Sequence, residues 1–378
     1  EGDDIDCHFE IDDCQANLIN SRKLSINAII GIHCCKPVSD NYEAVSSLSD
    51  SEDIGMTESE GLYSKLKNVA YTHLVISKND IHRIYEEINL PKAKPNIDSI
   101  LYYNIRPLNI QTKVVEDGVR LMGDLNIFVL YTPENEERSL EYFETEAAFD
   151  EIINCNNCNE DMIPDIDVSV GSRELSGKPD EDGENRIISF ELTLKLQMKF
   201  YENKETQILD DAYSTAMELE PVRKTMSLNR LIMKNQSVLR LSEQFNIDNQ
   251  QQVVKDGIQL DGVMQLDVLY MTENDSNPLS IEKVVMPFRH VIEIDGLSPV
   301  CFYELQFEIY NINVMLLVSS EIEVKANITL CAIAFSNFEE NYIFDVNIEP
   351  LDFERLHKLP GIVGYYAIKD KTVLDIAK

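Results

Sequence analysis

Along much of this chain, apolar and polar residues alternate one by one. Leu192, Leu194, Leu196 and Met198 alternate with Thr193, Lys195 and Gln197, and Ile322, Val324, Ala326 and Ile328 with Glu323, Lys325 and Asn327. Successive side chains of a strand point to opposite faces, so this period of two predicts strands with one buried face. Val119 to Tyr131 mixes alternation with a short apolar run, as in a strand buried mainly on one side. Asp117-Gly118 and Asp256-Gly257 fall between such runs, and Asp-Gly suits the positive φ angles of a two-residue hairpin. Asp180 to Glu184 reads as another exposed hairpin turn, because a calcium loop centred on Gly183 would put Lys178 and Ser189 at ligand positions. Pro95 with Asn96 to Leu101 predicts one short helix, since proline is tolerated in a first turn. Ser46 to Glu60, rich in Ser, Asp and Glu, predicts an exposed loop. The expected fold class is all-β: tandem β-sandwich or barrel-like repeats with short helices in connections.

The strongest internal signal is repetition, and repetition fixes architecture. Val114 to Asn135 aligns without a gap on Val253 to Asn274 at a constant offset of 139, with 11 of 22 positions identical. Identical positions include Asp117-Gly118 with Asp256-Gly257, Gly123 with Gly262, and Val129-Leu130-Tyr131 with Val268-Leu269-Tyr270. A second register, at an offset of 298, pairs Phe9-Glu10-Ile11 with Phe307-Glu308-Ile309, Leu18 with Leu316, Ser21 with Ser319 and Ala28 with Ala326. Two whole copies are therefore expected, preceded by the second half of a third whose first half is cut away by truncation. Tyr131 and Tyr270 should occupy matching sites, as should Leu121 and Leu260. The half-copy at residues 1–45 lacks its partner segment, and because a bare edge and apolar face invite association it should either pack on its neighbour in the chain or, as the favoured outcome, make an intermolecular contact by strand addition.

Composition narrows the function. The 378 residues carry 33 Lys plus Arg against 67 Asp plus Glu, a net charge of −34, which repels nucleic acid and anionic membranes. There is no run of about 18 apolar residues to span a membrane. The opening Glu1-Gly2-Asp3-Asp4 does not resemble a signal peptide. Eight scattered cysteines read as free thiols of a reducing compartment. Cys155-Asn-Asn-Cys158 has metal-ligand spacing, but no second pair or nearby His completes four ligands, so an ordinary loop is expected. The six histidines adjoin no nucleophile signature, and no GxSxG, Walker loop, HExxH or GxGxxG occurs. No enzyme, catalytic residue, metal or cofactor is expected.

Leu18 to Ile26, the repeated DG–G–VLY pattern, Asp182-Gly183-Glu184 before a strand, Asp210 to Ser214 and Met286-Pro287-Phe288 together resemble the SPOCS domain repeats of clostridial sporulation proteins, the SipL-like family. In that family several repeats precede a C-terminal LysM module. Tyr366 to Lys378 resembles the opening strand and first helix of a truncated LysM module, with matches at Tyr366, Ile368, Thr372, Ile376 and Ala377. Asp370-Lys371 stands where the module usually has Gly-Asp. The implied boundaries are 1–90 for the second half of a first repeat plus linker, 91–222 and 223–350 for two repeats, and 351–378 for a linker and the start of LysM. The resemblance implies docking of the module onto a coat morphogenetic ATPase rather than onto peptidoglycan, with Tyr366, Thr372, Val373 and Ile376 as partner-binding residues. It also implies a protein of the mother-cell cytoplasm at the forespore surface, in the spore coat.

The expected function is a structural scaffold of the spore coat or spore surface that works by protein–protein binding, to the ATPase or to copies of itself. The alternatives are a self-assembling fibre or appendage subunit joined by strand addition, or a LysM cell-wall-binding protein.

Overall fold

A computed structural model describes residues 6–20, 22–35, 39–50, 62–134, 140–214, 217–242, 250–254, 257–271, 279–298, 301–316, 322–350 and 367–377. Among them there are strands and no helix. In chain order these are β1 (Asp6–Asn20), β2 (Lys23–Cys35), β3 (Ser39–Asp50), β4 (Leu62–Asn89), β5 (Ile97–Val115), β6 (Gly118–Pro133), β7 (Glu141–Asn154), β8 (Ile163–Pro179), β9 (Asn185–Ser214), β10 (Met217–Ser242), β11 (Gln250–Val254), β12 (Gly257–Met271), β13 (Leu279–Glu293), β14 (Phe302–Leu316), β15 (Ile322–Pro350) and β16 (Ala367–Ala377). The all-β expectation holds. Two compact units cut across the sequence repeats: residues 1–69, 205–229 and 339–378 form one, and residues 70–204 and 230–338 the other.

The second unit contains most of both whole copies, each built from two sheets. In the first copy the sheet β5-β6-β7 faces β4-β9-β8, and in the second β11-β12-β13 faces β10-β15-β14. Leu121, Leu125, Ile127 and Val129 of β6 share one buried cluster with Phe190, Leu192, Leu194, Leu196 and Met198 of β9. Leu260, Met264 and Val268 of β12 do the same with Val324, Ala326, Ile328 and Leu330 of β15. The alternating rows in the sequence are thus the inner faces of two sandwiches.

Register confirms the repeat down to its irregularities. The hairpin β8–β9 shifts between Val170 and Ser172, β14–β15 between Ile309 and Asn311, and β1–β2 between Ile11 and Asp13. These three bulges coincide under the sequence offsets of 139 and 298, as expected of a structural device rather than a defect. Val170 pairs with Leu194, Ile309 with Ile328 and Ile11 with Ile30, which places Leu194, Ile328 and Ile30 at one equivalent position.

The hairpin at Asp117 turns one residue earlier than Asp-Gly suggests. Val115 pairs with Gly118, so Glu116 and Asp117 form the corner, and Asp117 carries the positive φ of 55°. Gly118 serves close approach instead, because an added Cβ would lie 3.0 Å from the Ile153 carbonyl oxygen. At the matching Gly257 that distance is 2.7 Å, to Ile292 O. Gly123 and Gly262 lie under the rings of Phe149 and Phe288, their cross-strand partners. The aromatic ring covers the gap that the missing side chain leaves.

Four local expectations are corrected. The helix at Pro95 is the start of strand β5, with Ile97 buried and paired to Pro133. The preceding segment is held as a turn by Arg186, whose guanidinium donates to the carbonyls of Leu90, Pro91 and Lys94 and to Asn96 Oδ1. Tertiary hydrogen bonds here outweigh a weak local helix signal. Ser46 to Asp50, read as loop, ends strand β3, while residues 51–61 lie outside the described residues. Thr372 to Ala377, read as the first helix of LysM, continues strand β16, because Ser39–Asp50 offers it an antiparallel partner. The tyrosines also differ. Leu121 and Leu260 are both buried, but Tyr131 is fully buried whereas Tyr270 is 37% exposed. Strand β5 spans β6 as far as Tyr131, which donates to Pro95 O at 3.1 Å, whereas among the described residues β11 pairs with Gly257–Asp261.

In the first unit, β3 pairs with β16, and the ends of β9 and β15 lie beside β4 and β10. Val45, Leu48, Leu209, Ile343 and Val346 form its core. Tyr63 and Tyr213 stack at 4.7 Å, and Lys65 bonds Asp210 at 2.6 Å.

Gly257→Ala should destabilise the second unit by about 1–3 kcal/mol, the usual cost of overpacking, because a backbone carbonyl cannot swing away. Urea unfolding checks this, with Gly177→Ala as a tolerated control whose nearest neighbours are 3.8 Å away.

Candidate functional site: an uncovered hairpin face

The equivalent positions of the three hairpins have unequal fates. On β2, Leu24, Ile26, Ala28, Ile30 and Ile32 face one way, and Lys23, Ser25, Asn27, Ile29 and Gly31 the other, where Ile29 is also exposed. Ile26 corresponds to Phe190 and Val324, Ile30 to Leu194 and Ile328, and Ile32 to Leu196 and Leu330. Leu194 is fully buried and Ile328 is 8% exposed, but Ile30 is 57% exposed. Leu24, Ile26 and Ile32 are just as open. The row that forms a sandwich core twice is here presented to solvent. Covering four such side chains is worth roughly 6–12 kcal/mol gross, at about 1.5–3 kcal/mol each. The half-copy is self-paired along β1 and β2 and these four side chains are exposed, whereas in the later copies the preceding half of the same repeat covers the row.

Other candidates resolve into structure. Cys155 and Cys158 are buried, at the turn that follows β7. Cys155 N donates to Asp117 O at 2.9 Å, Asp117 N to Cys158 O at 3.0 Å, and the Cys158 thiol approaches Gly118 O at 3.3 Å. This turn clips the β5–β6 corner. Its counterpart in the second copy has Ile294 and Leu297 at the two cysteine positions, with Leu297 N donating to Ile294 O as Cys158 N does to Cys155 O. Aliphatic side chains fill the same two places, so the thiols serve as core residues. Burial, together with the neighbouring Cys158, pushes the Cys155 thiol up to about 11. Among the described residues no group of three or more His, Cys, Asp or Glu is placed to hold a metal ion.

Asp165, between the two copies, is the most buried carboxylate with a shifted pKa. Burial pushes it up, while Lys234 at 3.8 Å pulls the other way. Gln306 donates to it at 3.3 Å, and Lys199 bonds Glu304 alongside at 2.9 Å. Burial likewise raises Tyr201, whose ring packs 5.2 Å from that of Phe335. Each charge in this group has an opposite neighbour, which suits a junction between repeats.

Of the C-terminal residues expected to bind a partner, Tyr366 lies outside the described residues. Thr372, Val373 and Ile376 sit on β16, paired in register with Ala44, Glu43 and Asp40 of β3. Sequence reasoning named none of the β2 side chains as a site. The signal was present, because Ala28 matches Ala326 inside a row that the later copies bury.

With this geometry in view, comparison with known families is informative: the family described as SipL, SPOCS domain, matches residues 96–175 and 237–317. The chain carries two SPOCS-domain matches. The two matches start within a residue of β5 and inside β10, and they end within β8 and one residue past β14, so each covers a three-stranded sheet and the first strand of the hairpin facing it. SPOCS domains belong to sporulation proteins, and the family is not a known enzyme family. No curated protein and no solved structure matches the chain. No described helix is long and apolar enough to cross a membrane.

The raised Cys155 thiol has a pH signature. The folded state keeps a proton that the unfolded chain surrenders above 9.0, so stability is unaffected below that pH and falls as pH rises toward about 11. A thiol reagent at pH 8 should leave Cys155 unmodified until denaturant is added, with peptide mapping as the check. Rapid stoichiometric labelling of the folded protein contradicts this.

Proposed function

We propose that this SPOCS-domain protein is a scaffold of the bacterial spore coat or spore surface that acts through protein–protein binding. The observation that carries the reading is the pair of SPOCS-domain matches at residues 96–175 and 237–317, laid over tandem sandwiches that bury their alternating apolar rows. A net charge of −34 turns the surface away from nucleic acid and anionic membranes, which leaves proteins as the natural partners. The proposed partners are a coat morphogenetic ATPase and other copies of the chain, met in the mother-cell cytoplasm at the forespore surface. Tyr366, Thr372, Val373 and Ile376 are proposed to contribute to a C-terminal contact, with peptidoglycan as the lesser alternative there.

A fibre or appendage subunit is the second reading. It is favoured by the β1–β2 sheet, which has two strands and so presents an edge on each side for strand addition. Light scattering separates the two, since a fibre subunit gains mass steadily with time and concentration.

A fluorescent fusion expressed in the sporulating bacterium that encodes the chain should form a ring around the forespore. Diffuse fluorescence throughout the mother cell contradicts the scaffold reading.

A further inference from the structure

We infer that the outer face of the sheet β5-β6-β7 is a docking site for a basic, arginine-bearing segment of a protein partner. This rests on the scaffold reading and deepens it, by giving the chemistry of what is bound. Three rings meet at one end of that face. Tyr102 and Tyr142 flank Leu130 from the two neighbouring strands and are 49% and 48% exposed, while Leu130 between them is buried. The ring of Phe128 lies 6.2 Å from that of Tyr102 and 6.1 Å from that of Tyr142. On the same face Glu144 stands opposite Phe128 and Glu146 opposite Asn126, both exposed. The rim of the patch shows how such groups hold a cation. Lys94 sets its ammonium 4.8 Å from the centre of the Tyr142 ring while bonding Glu141 at 2.9 Å, so ring and carboxylate act on one charge together.

Phe128 and Tyr102 beside Glu144 offer the same combination. Glu144 accepts from Asn126 at 3.0 Å, Arg106 alongside donates to Asn126 Oδ1 at 3.4 Å, and among the described residues neither Glu144 nor Glu146 forms an ion pair. The fold does not require these side chains. In the second copy the same register carries Asp267 for Phe128, Ile281 for Tyr142, Lys283 for Glu144 and Val285 for Glu146, although the inner rows stay apolar in both copies. Charge then selects the occupant. A second copy would bring a net charge of −34 against Glu144 and Glu146, which like-charge repulsion opposes, whereas a basic segment is drawn in. Arginine suits the patch better than lysine, because its planar guanidinium stacks on rings and forks onto carboxylates.

A fluorescein-labelled decapeptide of alternating arginine and glycine tests this, titrated with the full chain and followed by fluorescence anisotropy. Salt is held at about 0.15 M, where screening confines charge effects to roughly 8 Å. The variants Tyr142→Ile and Glu144→Lys take the residues that the second copy accommodates at the same register. Glu181→Lys, in the exposed turn at residues 180–184, makes the same change of charge away from the patch. The expected losses of affinity are about threefold or more for Tyr142→Ile, about tenfold or more for Glu144→Lys, and within about twofold for Glu181→Lys. Absence of saturable binding by the parent, or any result outside these three limits, overturns the proposal. A parent chain that self-associates until Tyr142→Ile is introduced also overturns it, because a second copy then takes the face. Failure in solution leaves a forespore ring standing, and a diffuse fusion with intact peptide binding removes the scaffold reading instead.

Discussion

A strand with one apolar face needs a second layer, and in both whole copies that layer is a sheet supplied from the preceding segment of the same repeat. The rest of the architecture follows from this packing of a three-stranded sheet on a long hairpin. It explains why the glycines of the covering sheet are fixed, since Gly118 and Gly257 let that sheet lie close to its own edge strand. It explains why Cys155 and Cys158 are interchangeable with Ile294 and Leu297, since both pairs plug the same end of the sandwich.

The fold class and the repeat were legible in the sequence, because strand periodicity and internal identity are local or additive signals. The inner rows at Leu192 to Met198 and Ile322 to Ile328 appear in the structure as sheet faces. Failures occurred where a distant partner decides. Pro95 to Leu101 carries a helix signal, yet Arg186, about 90 residues away, holds the turn before it and β6 claims the strand. Thr372 to Ala377 has a helical look on its own and becomes a strand because β3 lies alongside. Tyr131 and Tyr270 share sequence context but not burial, because β5 reaches Tyr131 whereas the described pairing of β11 ends at Asp261.

The site was half legible. The sequence indicated that residues 1–45 carry strands of a repeat whose other half is elsewhere, but it could not say which side chains of those strands stay exposed. That needed the register of three hairpins laid over one another, which places Ile30 on Leu194 and Ile328. The sporulation reading rests on the SPOCS matches.

Alanine truncation at that single equivalent position tests the packing account most directly. Unfolding free energies of Leu194→Ala, Ile328→Ala and Ile30→Ala should separate, with the first two losing about 2–5 kcal/mol each and the third within about 0.5 kcal/mol of the parent. An Ile30→Ala loss as large as that of Leu194→Ala would contradict it, because it would mean that the β2 face is already packed.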